Sequence, residues 1–193
     1  MKNFLKIFIL AAGLVLCLNA SSFAQVDLAV YGGYVFSGTV DAGDAGGDHD
    51  YSATQFGVKG HYNIEMSPTV GLGLGAFYQY AKVDPDEWGS GDGSKPKRTS
   101  VGLDLAFIFA TSSEVFPYAR VYCAYDKLKM WGMSATGFGF GIGAGIEFAV
   151  MPNLRLFGEL MYEHPSWEKD IDGDTFDASA SQIGFNIGLK FLI

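Results

Sequence analysis

The sequence is poor in cysteine and proline and has no long apolar run beyond its first 24 residues. Its 193 residues include two cysteines, of which Cys17 lies in an N-terminal apolar stretch and Cys123 in the remainder. Once that stretch is removed, a single cysteine excludes an intramolecular disulfide as a source of stability. The lack of a later apolar run excludes a transmembrane helix, so the chain can cross a membrane only as strands.

The N-terminal stretch itself has the pattern of a secretory signal peptide. Two lysines precede an apolar run from Ile7 to Leu18, and small residues lie at and near Ala24. The apolar run is too short to span a bilayer. We therefore expect a signal peptide, residues 1–24, followed by one mature domain, residues 25–193.

Basic residues are outnumbered by acidic ones, 13 to 21, which gives a formal net charge of -8. This balance argues against nucleic acid as a partner, because nucleic-acid binding depends on a basic surface. Glycine, with 26 residues, and aromatic side chains, at 15%, are abundant. That composition favours many strands joined by turns.

Alternation with a period of two, the pattern of a β-strand, runs through the mature sequence. It is clearest in residues 136–150, where phenylalanine, isoleucine, alanine and valine alternate with glycine, alanine and glutamate. The same pattern recurs along the chain, and it predicts eight strands. They cover residues 26–37, 53–64, 70–80, 100–109, 117–126, 136–150, 154–163 and 182–191.

The connections between these segments are predicted to be alternately long and short. The short ones are residues 65–68, 111–116 and 151–153, and the mostly longer ones are residues 38–52, 83–98, 127–135 and 165–179. Membrane barrels have tight periplasmic turns and longer outer loops, so both termini are expected on the periplasmic side. Tyrosines near the long loops, and Trp88, Trp131 and Trp167 in or beside them, are predicted to form an interfacial aromatic girdle.

The sense of the alternation decides between a soluble barrel and a membrane barrel. A soluble ligand carrier places its apolar face inside, which would leave the alternating glycines on solvent-exposed strands that they weaken. If the apolar face instead contacts lipid, glycines and charges face the lumen, where the charges can pair. The predicted lumen charge network comprises Asp104, Arg120, Glu147, Arg155, Glu159 and Lys190. We therefore predict an all-β fold, an eight-stranded antiparallel up-and-down transmembrane β-barrel.

The signal peptide, the eight segments and the closing pattern Gly184-Phe-Asn-Ile-Gly-Leu-Lys-Phe191 resemble small Gram-negative outer-membrane barrels of the OmpX/Ail type and the OmpA transmembrane domain. The resemblance implies an outer-membrane location, surroundings of outer-membrane lipid and lipopolysaccharide, and a non-enzymatic surface protein. Its roles would be envelope-structural or adhesin-like, with an unidentified extracellular ligand. We expect a monomer without cofactor or metal.

Two other functions stay open at this stage. His164 and Ser166 are two residues apart and, continuing from Leu160 and Tyr162, would share the lipid-side face of the seventh strand. This looks like the His-x-Ser element of PagL-type lipid A deacylases, with histidine as general base and serine as nucleophile. The other is a narrow porin-like channel, since inward glycines could leave a water-filled path. His49 and His61 are too isolated in the sequence to predict a metal site.

Overall fold

The computed structural model describes residues 25–41, 48–85, 95–111, 114–130, 133–171 and 174–193. The predicted signal peptide lies outside the described residues, as do Trp88 and Trp131. No helix of the described chain is long and apolar enough to span a membrane.

Eight strands form the described structure, and each is antiparallel to its neighbours in the sequence. The strands are β1 (Gln25–Asp41), β2 (Asp48–Ser67), β3 (Val70–Pro85), β4 (Lys97–Phe109), β5 (Val115–Met130), β6 (Met133–Met151), β7 (Leu154–Ile171) and β8 (Asp174–Leu192). β1 also pairs with β8, from Asp27 opposite Leu192 to Asp41 opposite Ser179, which closes the barrel. The predicted fold class is confirmed.

The barrel is apolar outside and polar inside. Phe138 is 70% exposed on the outer face, whereas Phe157 and Glu147 are each 1% exposed in the lumen. Such a large apolar surface is unfavourable in water and is typical of a surface that contacts hydrocarbon. The outward side chains include Phe36, Phe56, Leu103, Phe140, Ile142, Leu160 and Ile187.

The strands are longer than the sequence predicted at one end of the barrel, which we call the loop end. It is where β1, β3, β5 and β7 connect to the strands that follow them. The predicted loop 165–179 is wrong over most of its length, because β7 continues to Ile171 and β8 begins at Asp174. β5 and β6 likewise extend to Met130 and from Met133, so the predicted contrast in connection length fails for these two connections.

At the loop end the polarity of the two faces is reversed. Lys82, Lys97 and Lys127 point outward and are exposed, while Leu128 on the same strand as Lys127 points inward and is buried. Strands of 13 to 20 residues exceed the 9–11 residues needed to cross the hydrocarbon, so this part extends into water. The inward cluster consists of Val35, Val40, Tyr51, Ala53, Val83, Leu128, Ala135, Met161, Trp167, Ala178 and Ala180.

The position of Trp167 contradicts one prediction. This residue was predicted to belong to the interfacial girdle, but it is 3% exposed and lies in the inward apolar cluster. Tyr34, Tyr78 and Tyr125, by contrast, are exposed on the outer face.

Candidate functional site

The centre of the lumen is organised around Arg120. Its Nη1 lies 2.7 Å from Asp104 Oδ2, and its Nε lies 2.9 Å from Glu159 Oε2. Lys59 adds a second cation, with its Nζ 3.2 Å from the same oxygen of Glu159. The Arg120 guanidinium also lies 4.3 Å from the centre of the Tyr122 ring. All of these side chains are buried, so each charge depends on its partners rather than on water.

A second group of charges lies nearer the other end of the barrel, the turn end, where residues 25 and 193 are located. Glu147 accepts from Arg155, whose Nη1 is 3.0 Å from Oε2, and pairs with Lys190. Lys190 Nζ also lies 3.4 Å from Asp27 Oδ2. The guanidinium of Arg155 stacks 3.8 Å above the Phe116 ring. The six residues predicted as a lumen network thus lie in two groups.

His61 joins the two groups and was not predicted to do so. Its Nδ1 lies 2.9 Å from Asp27 Oδ1 and its Nε2 2.5 Å from Asp104 Oδ1. Each ring nitrogen thus lies within hydrogen-bond distance of one carboxylate, and the imidazole connects the two carboxylates. His61 has the inward parity of Lys59, and this is the signal in the sequence that places it in the lumen. Within the described ranges, no group of three or more His, Cys, Asp or Glu residues is arranged to hold a metal ion.

Arg98 is the second residue that the prediction missed, because it was placed in a loop. Its Nε donates to Asp126 Oδ1 at 3.0 Å and its Nη2 to Glu163 Oε2 at 2.6 Å. Tyr122 donates its hydroxyl to the other oxygen of Glu163 at 2.8 Å. Extending the alternation of β4 by one more inward position, from Ser100 to Arg98, would have found it.

A chain of amides crosses the lumen between these charged groups. Gln79 Nε2 donates to Gln55 Oε1 at 3.1 Å, and Gln55 Nε2 donates to Asn186 Oδ1 at 2.8 Å. Asn186 Nδ2 in turn donates to Glu159 Oε1 at 3.0 Å. Tyr31 supplies its hydroxyl proton to Gln79 Oε1 at 3.0 Å. Residues from several strands are therefore linked across the lumen by direct hydrogen bonds.

Glycines of β6 provide the space for the large rings in the lumen. A Cβ at Gly141 would overlap the ring of Tyr122, and one at Gly145 would lie 2.7 Å from Cζ of Tyr118. Small residues on one wall admit large ones from the facing wall, so the lumen is filled rather than open.

Two cavities within the lumen are too small to form a path. One, bounded by Arg98, Tyr122 and Glu163, measures about 10 Å³, and another beside Trp167 measures about 20 Å³. Either has room for about one water molecule. At the turn end a wider vestibule of about 190 Å³ is lined by residues including Asp27, Glu65 and Arg155.

His164 and Ser166 are on the outer part of β7, and each hydrogen-bonds elsewhere. The Ser166 hydroxyl donates to the Phe138 carbonyl oxygen at 3.1 Å, and His164 Nδ1 lies 3.0 Å from Ser181 Oγ. Because a hydroxyl has one proton, Ser166 does not donate to His164 in this arrangement. β7 also runs through Pro165, which pairs with Gly139 of β6.

The sequence matches the family model of an outer membrane protein beta-barrel domain over residues 8–191. It is 25% identical to outer membrane protein P1 of Haemophilus influenzae over 153 residues, which are 79% of this chain and 30% of that protein. The chain thus spans about a third of the length of that relative.

Two solved structures share the fold. Neisserial surface protein A is 16% identical, with a TM-score of 0.55, and the match covers 90% of this chain and 99% of that one. OprG from Pseudomonas aeruginosa is 15% identical, with a TM-score of 0.52, and the match covers 89% and 96%. At these identities the likeness concerns the arrangement of strands.

Proposed function

Because the chain belongs to the family of outer membrane protein beta-barrel domains and is a protein of the Gram-negative outer membrane, we propose that it is a non-enzymatic surface protein with a closed lumen. Its role in this proposal is envelope-structural or adhesin-like, through the loop end. Family membership confirms the predicted resemblance and location. The observation that carries the rest is the cross-linking of the lumen by buried ion pairs around Arg120.

The closed lumen argues against the alternative of a narrow channel. An ion moving from the turn end would meet the Glu147 and Lys190 pair, then the Arg120 group, and then Arg98 with its two carboxylates. Beyond these lies the apolar cluster that contains Trp167 and Leu128. Each layer would have to open in turn, and breaking a buried ion pair costs about 3–5 kcal/mol.

The purified barrel is therefore expected to give no stable conductance steps in a planar lipid bilayer at high KCl concentration. A general porin measured in the same bilayer shows that the assay detects open barrels. Insertion of the test protein is verified by protease protection of the reconstituted vesicles. Reproducible unitary steps from an inserted, folded barrel would contradict the closed lumen and favour the channel.

The strands are long enough to carry the loops at the loop end beyond the membrane. β1 and β2 remain paired as far as Asp41 opposite Asp48, beyond the level at which outward residues turn polar. The hairpins therefore form a continuous, internally packed extension of the barrel on which loops can be displayed. Exposed carboxylates of Asp41, Asp48 and Asp50 make this side of the extension acidic.

The deacylase alternative makes a separate prediction. A serine nucleophile needs its hydroxyl proton directed to the base, whereas Ser166 donates to Phe138. We expect cells that express the wild-type protein and cells that express Ser166→Ala to have the same lipid A mass spectrum as cells without it. Loss of one acyl chain in the wild type, abolished in Ser166→Ala, would establish the enzyme instead.

A further inference from the structure

Four lysines form a group on the outer wall of the barrel near the loop end. They are Lys82 on β3, Lys97 on β4, and Lys127 and Lys129 on β5, and we call them the lysine row. Lys82 lies directly opposite Lys97, and Lys97 directly opposite Lys129. Neighbouring strands are about 4.8 Å apart and residues two apart on a strand are about 7 Å apart, so the row occupies a small patch of the wall.

None of the four lysines forms an ion pair with a described residue. All four side chains are exposed, and the described ion pairs involve other cations, most of them in the lumen. The nearest acidic residue on β3, Asp84, is paired with Lys95. Like charges directly opposite on a sheet are destabilising. An anion bound at the row would remove that repulsion.

The wall beneath the lysine row is apolar and belongs to the lipid-facing surface. On β3 the outward residues below Lys82 are tyrosines, and on β4 the outward residues from Val101 to Phe109 are all apolar. Tyr78 and Tyr125 lie exposed at this level. The patch therefore presents amines immediately above a surface that contacts acyl chains.

We propose that the lysine row is a binding site for the phosphate groups of a phosphorylated glycolipid of the outer leaflet, with its acyl chains on the wall below. Charge complementarity selects an anion, and the apolar wall selects an anion that carries hydrocarbon. A glycolipid of the lipid A type supplies both. The site is independent of whether the lumen conducts, so the bilayer experiment and the following one can fail separately.

The test is a titration of the full mature barrel in detergent micelles with purified bisphosphorylated lipid A, with the lipid-bound fraction read by native mass spectrometry. A lysine near an anionic lipid surface contributes about fivefold in affinity. Lys97→Gln is thus expected to bind about fivefold more weakly, and the variant with all four lysines changed to glutamine several hundredfold more weakly. Added salt should weaken wild-type binding.

The matched control is the double variant Lys95→Gln with Asp84→Asn, because Lys95 is two residues from Lys97 on the same segment and the second change removes the carboxylate with which Lys95 pairs. It is expected to bind as the wild type does. Dephosphorylated lipid A should bind the wild type as weakly as the bisphosphorylated lipid binds the quadruple variant. Heat-modifiable gel mobility shows that every variant is folded.

Three results would overturn the proposal. The first is equal lipid A affinity of the folded quadruple variant and the wild type. The second is an equal loss of affinity in Lys97→Gln and in the double variant Lys95→Gln with Asp84→Asn. The third is a protein dimer in the mass spectrum that disappears in the quadruple variant while lipid binding is unchanged. That result would assign the lysine row to contact with a second copy of the chain.

Discussion

Replacing Arg120 with alanine is expected to lower the free energy of unfolding by about 3–5 kcal/mol. The guanidinium is 2% exposed and lies within 3 Å of carboxylate oxygens of both Asp104 and Glu159. Its removal leaves these carboxylates with less compensating charge in a lumen that water barely enters. Unfolding in urea, followed by loss of the fast-migrating folded band in unboiled gels, measures the difference.

Two further variants at the same position separate charge from volume. Arg120→Met keeps most of the side-chain length but no charge, so we expect a loss close to that of Arg120→Ala. Arg120→Lys keeps the charge without the planar fork that reaches both carboxylates, so we expect an intermediate loss. If Arg120→Met is as stable as the wild type, the ion pairs around Arg120 do not hold the lumen together.

The membrane-crossing part of the fold could be predicted from the sequence because its two faces have different surroundings, lipid outside and a packed polar lumen inside. On β6, Phe138, Phe140 and Ile142 contact lipid while the glycines between them face a crowded lumen. Each requirement is strong and local, so a period of two appears directly in the sequence. The same contrast gave the inward set, including Glu147 and Lys190.

The loop end could not be predicted because the contrast there changes sign. Lys127 and Leu128 continue the alternation of β5, but the apolar residue is now inside and the charged one outside. If every apolar residue is assigned to the outer face, the predicted strand ends at this point. Trp167 was misplaced for this reason, and Arg98 was placed in a loop because the outward residues beside it, Lys97 and Thr99, are not apolar.

Contacts across the lumen were unpredictable for a different reason. His61 on β2 meets Asp27 on β1 and Asp104 on β4, and sequence spacing does not specify which inward residues share a level. That depends on the stagger between strands when the barrel closes. Alternation identifies which residues face the lumen, but closure decides which of them pair.

A substitution at a lumen-facing glycine of β6 is the second change with a large expected effect, because an added side chain there would overlap the rings that fill the lumen. Gly141→Val is expected to prevent most of the protein from reaching the folded, fast-migrating form. A Cβ at position 141 would lie 2.6 Å from Tyr122 Cε2, far inside van der Waals contact. Tyr122 cannot move aside freely, because Glu163 accepts its hydroxyl proton at 2.8 Å and Arg120 covers its ring. Overpacking of this kind costs about 1–3 kcal/mol or more.

Gly158→Val is the matched control on the neighbouring strand β7. Gly158 faces outward, and an added Cβ there meets no atom within 4 Å. A β-branched residue suits a strand and adds apolar surface toward lipid, so this variant is expected to fold as well as the wild type. Refolding yield into detergent, read as the folded fraction in unboiled gels, compares the two. Equal yields for both variants would mean that the lumen accommodates a valine side chain at position 141. That result would contradict the proposal that side chains close the lumen.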